Sequence, residues 1–257
     1  FCRATNPLTP DQVATGLRQL ALLHSQPLDA PAMQKLVPIH AVHYATEERG
    51  TKMARYFEWT RAYAGPVCLL DADRIRKGFA IPDLNNPLVA NHVTWYSSRP
   101  DYIQRTTQRA SRYLFHVVQE LERRGMPMEL ALLPFIESAF NPQAYSSAKA
   151  AGMWQFIPST GRDYNLKQNI FRDERRDVVA STDAALNYLQ KLYGMFGDWQ
   201  LALAAYNWGE GSVGKAIAKN RKAGLPEGYT DLTMPMETRF YVPKLQAIKN
   251  IVSTPEA

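Results

Sequence analysis

Long apolar runs, cysteine and strand-like alternation are all scarce in this chain of 257 residues, and each shortage narrows what it can be. The longest clean apolar stretch, Leu130 to Ile136, falls far below the roughly 20 residues that a membrane-spanning helix needs. The first residues, Phe1 to Pro7, hold no apolar signal core, so an export signal is expected to have been removed or never present. Only two cysteines occur, Cys2 and Cys68, without the spacing of a metal site. They pair if the chain is exported to an oxidising compartment and otherwise stand as two thiols. The near-absence of period-two alternation argues against a sheet, and no internal repeat or low-complexity tract is found.

What is present reads as helix. A hydrophobic content of 46% suffices for a sizeable core. Residues 1–69 form a helical N-terminal segment of open role, with helices after Pro10, over Ala30 to Leu36 and over Thr51 to Tyr63, ending at Gly65-Pro66. His24, His40 and His43 fall there without cysteine or acidic partners and read as ordinary histidines. A second unit spans residues 70–257. Its pattern predicts loops at Asn85 to Pro87 and Ser97 to Pro100, then one long helix from Pro100 to Arg124 stopped by Gly125. One or two short helices over Met126 to Glu137, divided at Pro134, come next. Further helices are expected over Asp177 to Phe196, Trp199 to Asn207, Ser212 to Lys219 and Thr238 to Val252. The fold class is therefore mostly α.

The formal charge of +6 is spread out, densest at Arg172 to Arg176 and Lys215 to Lys222. It reads as a solvated surface or as attraction to a polyanion such as nucleic acid, anionic lipid or a cell-wall polymer. Chemistry points to Glu137, which closes the apolar run from Leu130. Desolvation disfavours a charged carboxyl, raises its pKa and suits it to general acid work; the plain alternative is a helix-end glutamate facing water. Tyr145 to Ser147, including Ser146, forms a polar loop. Gly152 allows close backbone approach by a ligand, Met153 follows it, and Trp154 is either core or a flat surface for a sugar ring. Gln155 offers a donor and an acceptor that an acetamido group would satisfy. Tyr206 and Asn207 end an apolar helix, and Glu237 and Tyr241 lie one helical turn apart, with Glu237 alternatively a helix-end charge. One poised carboxyl among amides and aromatic rings suits the cleavage of a sugar chain.

Four ordered stretches carry a resemblance. Met126 to Pro142, Ala150 to Tyr164, Ala204-Ala-Tyr-Asn207 and Glu237 to Val242, together with Arg175 to Ala185, resemble the motifs of the soluble, goose-lysozyme-like family of lytic transglycosylases over about residues 71–252. The resemblance implies a lysozyme-like helical domain with no cofactor or metal. It implies cleavage of the peptidoglycan β-1,4 bond between N-acetylmuramic acid and N-acetylglucosamine without water, leaving a 1,6-anhydro end. Glu137 is then the sole acid and base. Ser146, Gln155 and Asn207 hold the sugar, Met153 and Trp154 wall the groove, Tyr206 orients Glu137 or the ring, Tyr241 lines the cleft and Glu237 supports it. Asp163 and Glu210 are the nearest candidates for a second carboxylate, and neither sits where a nucleophile is expected.

Residues 1–69 depart from the family's usual N-terminal region, and carbohydrate-binding repeats after the fourth motif are absent from this sequence. The implied partner is the glycan strand, not nucleic acid, with no obligate protein partner. The implied place is the periplasm, with attachment to the outer membrane left open; a lipid at Cys2 is disfavoured because Phe1 precedes it. Two other readings stay beside this one. A lysozyme-type hydrolase on the same scaffold needs a base-held water, and a non-catalytic wall-binding module has little use for a desolvated acid.

Overall fold

Helix caps decide where most elements begin. A computed structural model of the chain describes residues 73–253. The expectations placed on residues 1–69, including the early helices, the alternatives for Cys2 and Cys68 and the three histidines, lie outside the described residues. The first full helix, α1 (Pro87–Ser97), starts where the Asn86 side chain accepts the Leu88 amide and Pro87 occupies the first turn. The sequence reading takes Asn85 to Pro87 only as a loop; the same Asn-Pro pair is in fact a helix start.

The expected long helix from Pro100 to Arg124 is two, α2 (Pro100–Ala110) and α3 (Leu114–Arg124). A tight turn parts them, with the Ser111 and Tyr113 amides donating to Thr107 O and Ala110 O at 2.9 Å each. Gly125 then ends α3 in the left-handed region, φ 62°. A 3₁₀ turn (Met128–Leu132) leads into the short α4 (Leu133–Ser138), and Pro134 sits in the first turn of α4, where its missing N–H is harmless. The division therefore falls just before Pro134 rather than at it.

After α5 (Pro158–Asp163) and a 3₁₀ turn (Glu174–Arg176), α6 (Val178–Phe196) is capped by Asp177, which accepts the Ala180 amide. Asp198 caps α7 (Trp199–Trp208) in the same way through Leu201 N. Two more helices follow, α8 (Glu210–Lys222) and α9 (Met236–Ser253), each longer than the sequence reading gives. Among the described residues only isolated β-bridges accompany these helices, so the fold is mostly α as expected.

The last helix organises the rest. α9 packs along α1, α7 and α4, while α6 packs on α7 and α3. Leu130, Leu133, Leu186, Leu189, Leu192 and Leu203 are fully buried between them; each such side chain contributes about 1.5–3 kcal/mol of burial. A buried carboxylate fastens the start of the described chain to this assembly. Glu129 is 2% exposed and accepts from the Ala80 and Ile81 amides. Lys249 on α9 lies 3.1 Å from it and also 2.8 Å from Asp83. Arg76 donates to Val252 O at 2.7 Å. Charges taken out of water persist only when paired and hydrogen-bonded, and Glu129 is both.

Candidate active site

Glu137 stands in the last turn of α4. The chain reverses immediately after it: Ala139 and Phe140 both have positive φ, 50° and 53°, and both amides return to Pro134 O. Ser138 ties this reversal to the second motif, its hydroxyl donating to Met153 O at 2.8 Å and accepting from Asn141 N at 3.2 Å. The half-buried Glu137 accepts a short hydrogen bond from the Tyr241 hydroxyl on α9. Loss of water around the carboxyl pushes its pKa up from 4.5 to about 7; the Tyr241 bond opposes this, Glu237 adds to it and Lys244 opposes it. A carboxyl with that pKa is partly protonated at neutral pH, the condition for an acid that must also act as a base.

Tyr206 and Tyr241 converge on this carboxyl. Burial, then the Glu137 charge, holds both phenols well above their ordinary range, so they act as neutral donors. Their roles differ from those expected. Tyr206 donates to Trp154 O at 2.8 Å, whereas Tyr241 is the residue that holds Glu137. Behind Tyr206, its ring sits 5.5 Å from Tyr188 and 6.5 Å from Phe156, and Tyr164 closes the cluster at 5.1 Å from Tyr188. Such ring pairs each contribute about 0.5–1.5 kcal/mol and fix the direction of the Tyr206 hydroxyl. Asn207 is drawn to α9, its Oδ1 accepting from Thr238 Oγ1 at 2.8 Å.

The second motif differs most from expectation. Met153 and Trp154 are both 0% exposed, and Trp154 Nε1 donates to Thr182 Oγ1 at 3.0 Å on α6. Both side chains are core residues rather than groove walls, because α4, α6 and α7 close over them. Gly152 serves the fold rather than a ligand: at φ 85°, a Cβ there would meet Arg175 O at 1.8 Å. Gln155 is half-buried and turns back on its own loop, Nε2 donating to Gly152 O at 2.8 Å. Ser146 Oγ accepts from Ala150 N at 3.1 Å, closing the tight turn before this motif. A Trp154→Phe variant is expected to unfold about 1–2 kcal/mol more easily through the lost indole bond while KM stays unchanged. A raised KM with unaltered unfolding would return Trp154 to the groove.

Three contributors carry no role in the sequence reading. Lys244 acts on Glu137 from one turn beyond Tyr241; the three-residue spacing from Tyr241 is the signal that could have found it. Ser138 carries the bond between the first two motifs. Arg175, 5% exposed, is the buried strut of the second, donating to Lys149 O at 2.8 Å and Phe156 O at 3.0 Å while held by Asp173 at 2.7 Å. Its guanidinium, through bonding to Asp173, holds that carboxyl below its usual range. Asp163 and Glu210 do not act on Glu137. Glu210 is paired to Lys191 at 2.9 Å, and the carboxylate that does influence Glu137 is Glu237.

Residues 117–225 match the transglycosylase SLT domain family. The matched segment contains Glu137, the second motif and Tyr206-Asn207, whereas Glu237 and Tyr241 lie beyond it. The chain is 45% identical over 205 residues to membrane-bound lytic murein transglycosylase D of Escherichia coli (strain K12), an alignment covering 79% of this chain and 44% of that protein. It is 42% identical over 135 residues to a putative tributyltin chloride resistance protein of Alteromonas sp. (strain M-1), covering 52% of this chain and 61% of the other. It is also 30% identical over 158 residues to membrane-bound lytic murein transglycosylase C of Glaesserella parasuis serovar 5 (strain SH0165), covering 56% and 40%. The chain thus spans less than half the length of the Escherichia coli relative. Among the described residues no helix is long and apolar enough to cross a membrane.

Tyr241 also sets a pH test. Its hydroxyl favours the charged form of Glu137, so Tyr241→Phe is expected to raise the Glu137 pKa above about 7. The alkaline limb of kcat/KM then moves to higher pH while the maximum rate falls. A limb that stays in place separates Tyr241 from the titration of Glu137.

Proposed function

We propose that the chain is a peptidoglycan lytic transglycosylase, with Glu137 as its single acid and base. The observation that carries this reading is a carboxyl raised to about 7 and held by the Tyr241 hydroxyl within a family-matched helical fold. The protonated Glu137 gives its proton to the glycosidic oxygen as the bond from C1 to that oxygen breaks. The developing charge at C1 is met by the sugar's own acetamido group. The carboxylate then takes the proton of the muramic 6-hydroxyl as O6 bonds to C1, so water takes no part and a 1,6-anhydro end remains. Tyr241 stabilises the carboxylate between the two transfers. Asn207, its carbonyl engaged by Thr238, offers its amide N–H to the sugar; Ser146 and Gln155 border the same strand. Residues 70–257 act as the catalytic unit, residues 1–69 as an appended segment, and the site of action is the periplasmic wall, near the membrane for which the murein relatives are named.

Glu237 favours a second reading. It is exposed and close enough to raise the Glu137 pKa, and a pair of carboxylates that holds a water hydrolyses the same bond. Mass analysis of products from purified peptidoglycan decides between them. Anhydro, non-reducing ends are expected. Ends heavier by one water mark a muramidase, and binding without cleavage marks a wall-binding module.

A further inference from the structure

On the glycan-cleaving reading above, which holds a muramic sugar with its C1 at Glu137, we propose that Lys244 seats the free lactyl carboxylate of that sugar. The His92 imidazole on α1 is the second donor of the seat, and strands stripped of their peptide stems are the preferred substrate.

One stripe of α9 places this seat at the catalytic carboxyl. The Tyr241 hydroxyl bonds to Glu137, and the Phe240 ring lies edge-on to the His92 ring, their centres 5.6 Å apart. Lys244 follows Tyr241 by three residues and Phe240 by four, so its side chain shares their face. Helical side chains lean toward the N-terminus, which lays the lysine stem back over the turn that carries both rings. The ammonium therefore stands between His92 and Glu137, and its charge acts on each. Burial, then Lys244, holds His92 below its ordinary range, and Lys244 opposes the rise at Glu137. Glu137, Phe240 and Lys244 are half-buried and Glu237 is exposed, so the stripe reaches the surface on both sides of the buried Tyr241.

Neither donor is engaged by the protein. Among the described residues Lys244 makes no ion pair or hydrogen bond, and the buried His92 Nε2 has no partner. Lys249, further along α9, shows the contrast: it is committed to Asp83 and Glu129. Two donors turned on one spot without an acceptor suit a carboxylate. The neighbouring acids do not supply it, since Glu137 is held by Tyr241 and Glu237 starts about 10 Å away along the helix axis. The substrate carries one at the required reach. The lactyl carboxyl is joined to C1 of the same sugar through a few single bonds, a span of at most about 7 Å. On stem-bearing strands the same group is an amide and has lost its charge.

The test uses the full chain on two glycan preparations, strands stripped by an amidase and the same strands with their lactyl carboxyls converted to methylamides. Wild type is expected to show a KM roughly tenfold lower on the carboxylate strands. Lys244→Gln should lose that ratio, whatever change it makes to kcat on both preparations through Glu137, and Lys244→Arg should keep most of it. His92→Phe keeps a ring against Phe240 but removes the donor, and should reduce the ratio to about threefold. Equal KM values for wild type, or a ratio that survives in Lys244→Gln, overturn the proposal; a full ratio in His92→Phe removes His92 from the seat. A parallel titration of wild type needs neither turnover nor a variant. The disaccharide of N-acetylglucosamine and N-acetylmuramic acid should bind about tenfold more tightly than its lactyl methylamide, with the difference shrinking as salt is raised. Equal binding of the two overturns the carboxylate seat. Absence of cleavage on both preparations would instead count against the catalytic reading, and the titration would still decide the seat.

Discussion

Glu137→Gln is expected to lose cleavage by at least about 10²–10⁴-fold while becoming more stable. Loss of activity follows from the role proposed for Glu137, which passes a proton to the leaving oxygen and takes one from the 6-hydroxyl. The gain in stability follows from the same desolvation. A carboxyl whose pKa is higher folded than unfolded holds its proton more tightly in the folded state. Its stabilising contribution is complete below 4.5 and is lost as pH rises through about 7. The shift corresponds to about 3 kcal/mol at most, and residual solvent contact at a half-buried site reduces it to on the order of 2 kcal/mol. The neutral amide escapes that cost. The melting temperature of Glu137→Gln should therefore exceed wild type by several degrees at pH 8 and converge with it at pH 4. Melting curves across that range, run beside product analysis, check both halves. Retained turnover sinks the catalytic role, and a pH-independent difference in melting sinks the account of its pKa.

Gly152→Ala should be the most damaging small change to the fold. The added Cβ would lie 1.8 Å from Arg175 O and 2.7 Å from its carbonyl carbon, at φ 85° where a side chain is already strained. Overpacking of this kind costs about 1–3 kcal/mol and the backbone strain a similar amount, so about 4 kcal/mol is expected in all. Relief is blocked because Arg175 cannot retreat: its side chain is bound to Lys149 O, Phe156 O and Asp173. Urea unfolding should show the midpoint falling steeply with an unchanged slope. A loss below about 1 kcal/mol would mean that the loop yields more readily than its bonding indicates.

Gly152 also marks where reading the chain alone stops. A glycine in a ligand-like motif suggests a ligand's approach, yet the group approaching it belongs to a residue 23 positions later. Trp154 fails for the same reason, since whether an indole is wall or core depends on Thr182 and on helices packed from elsewhere. Local signals fared better. Asp177, Asp198, Gly125 and Gly197 end or begin helices close to where their chemistry places them. The turn at Ser111 to Tyr113 holds neither glycine nor proline, so nothing in its composition separates α2 from α3. Asn86-Pro87 is a cap that local chemistry alone makes legible, with Asn at the cap position and Pro in the first turn. Glu137 was legible from its apolar run and Tyr241 from its motif, but the bond between them joins residues 104 apart, and only the packing of α9 against α4 makes it.

The clasp of Glu129, Lys249 and Arg76 brings the opening and closing stretches of the described chain to one spot. Covalent order is then partly interchangeable with spatial order. A circularly permuted gene for residues 73–253 alone, joining those two positions through a short flexible bridge and opening the exposed tip at Ile170-Phe171, should still fold.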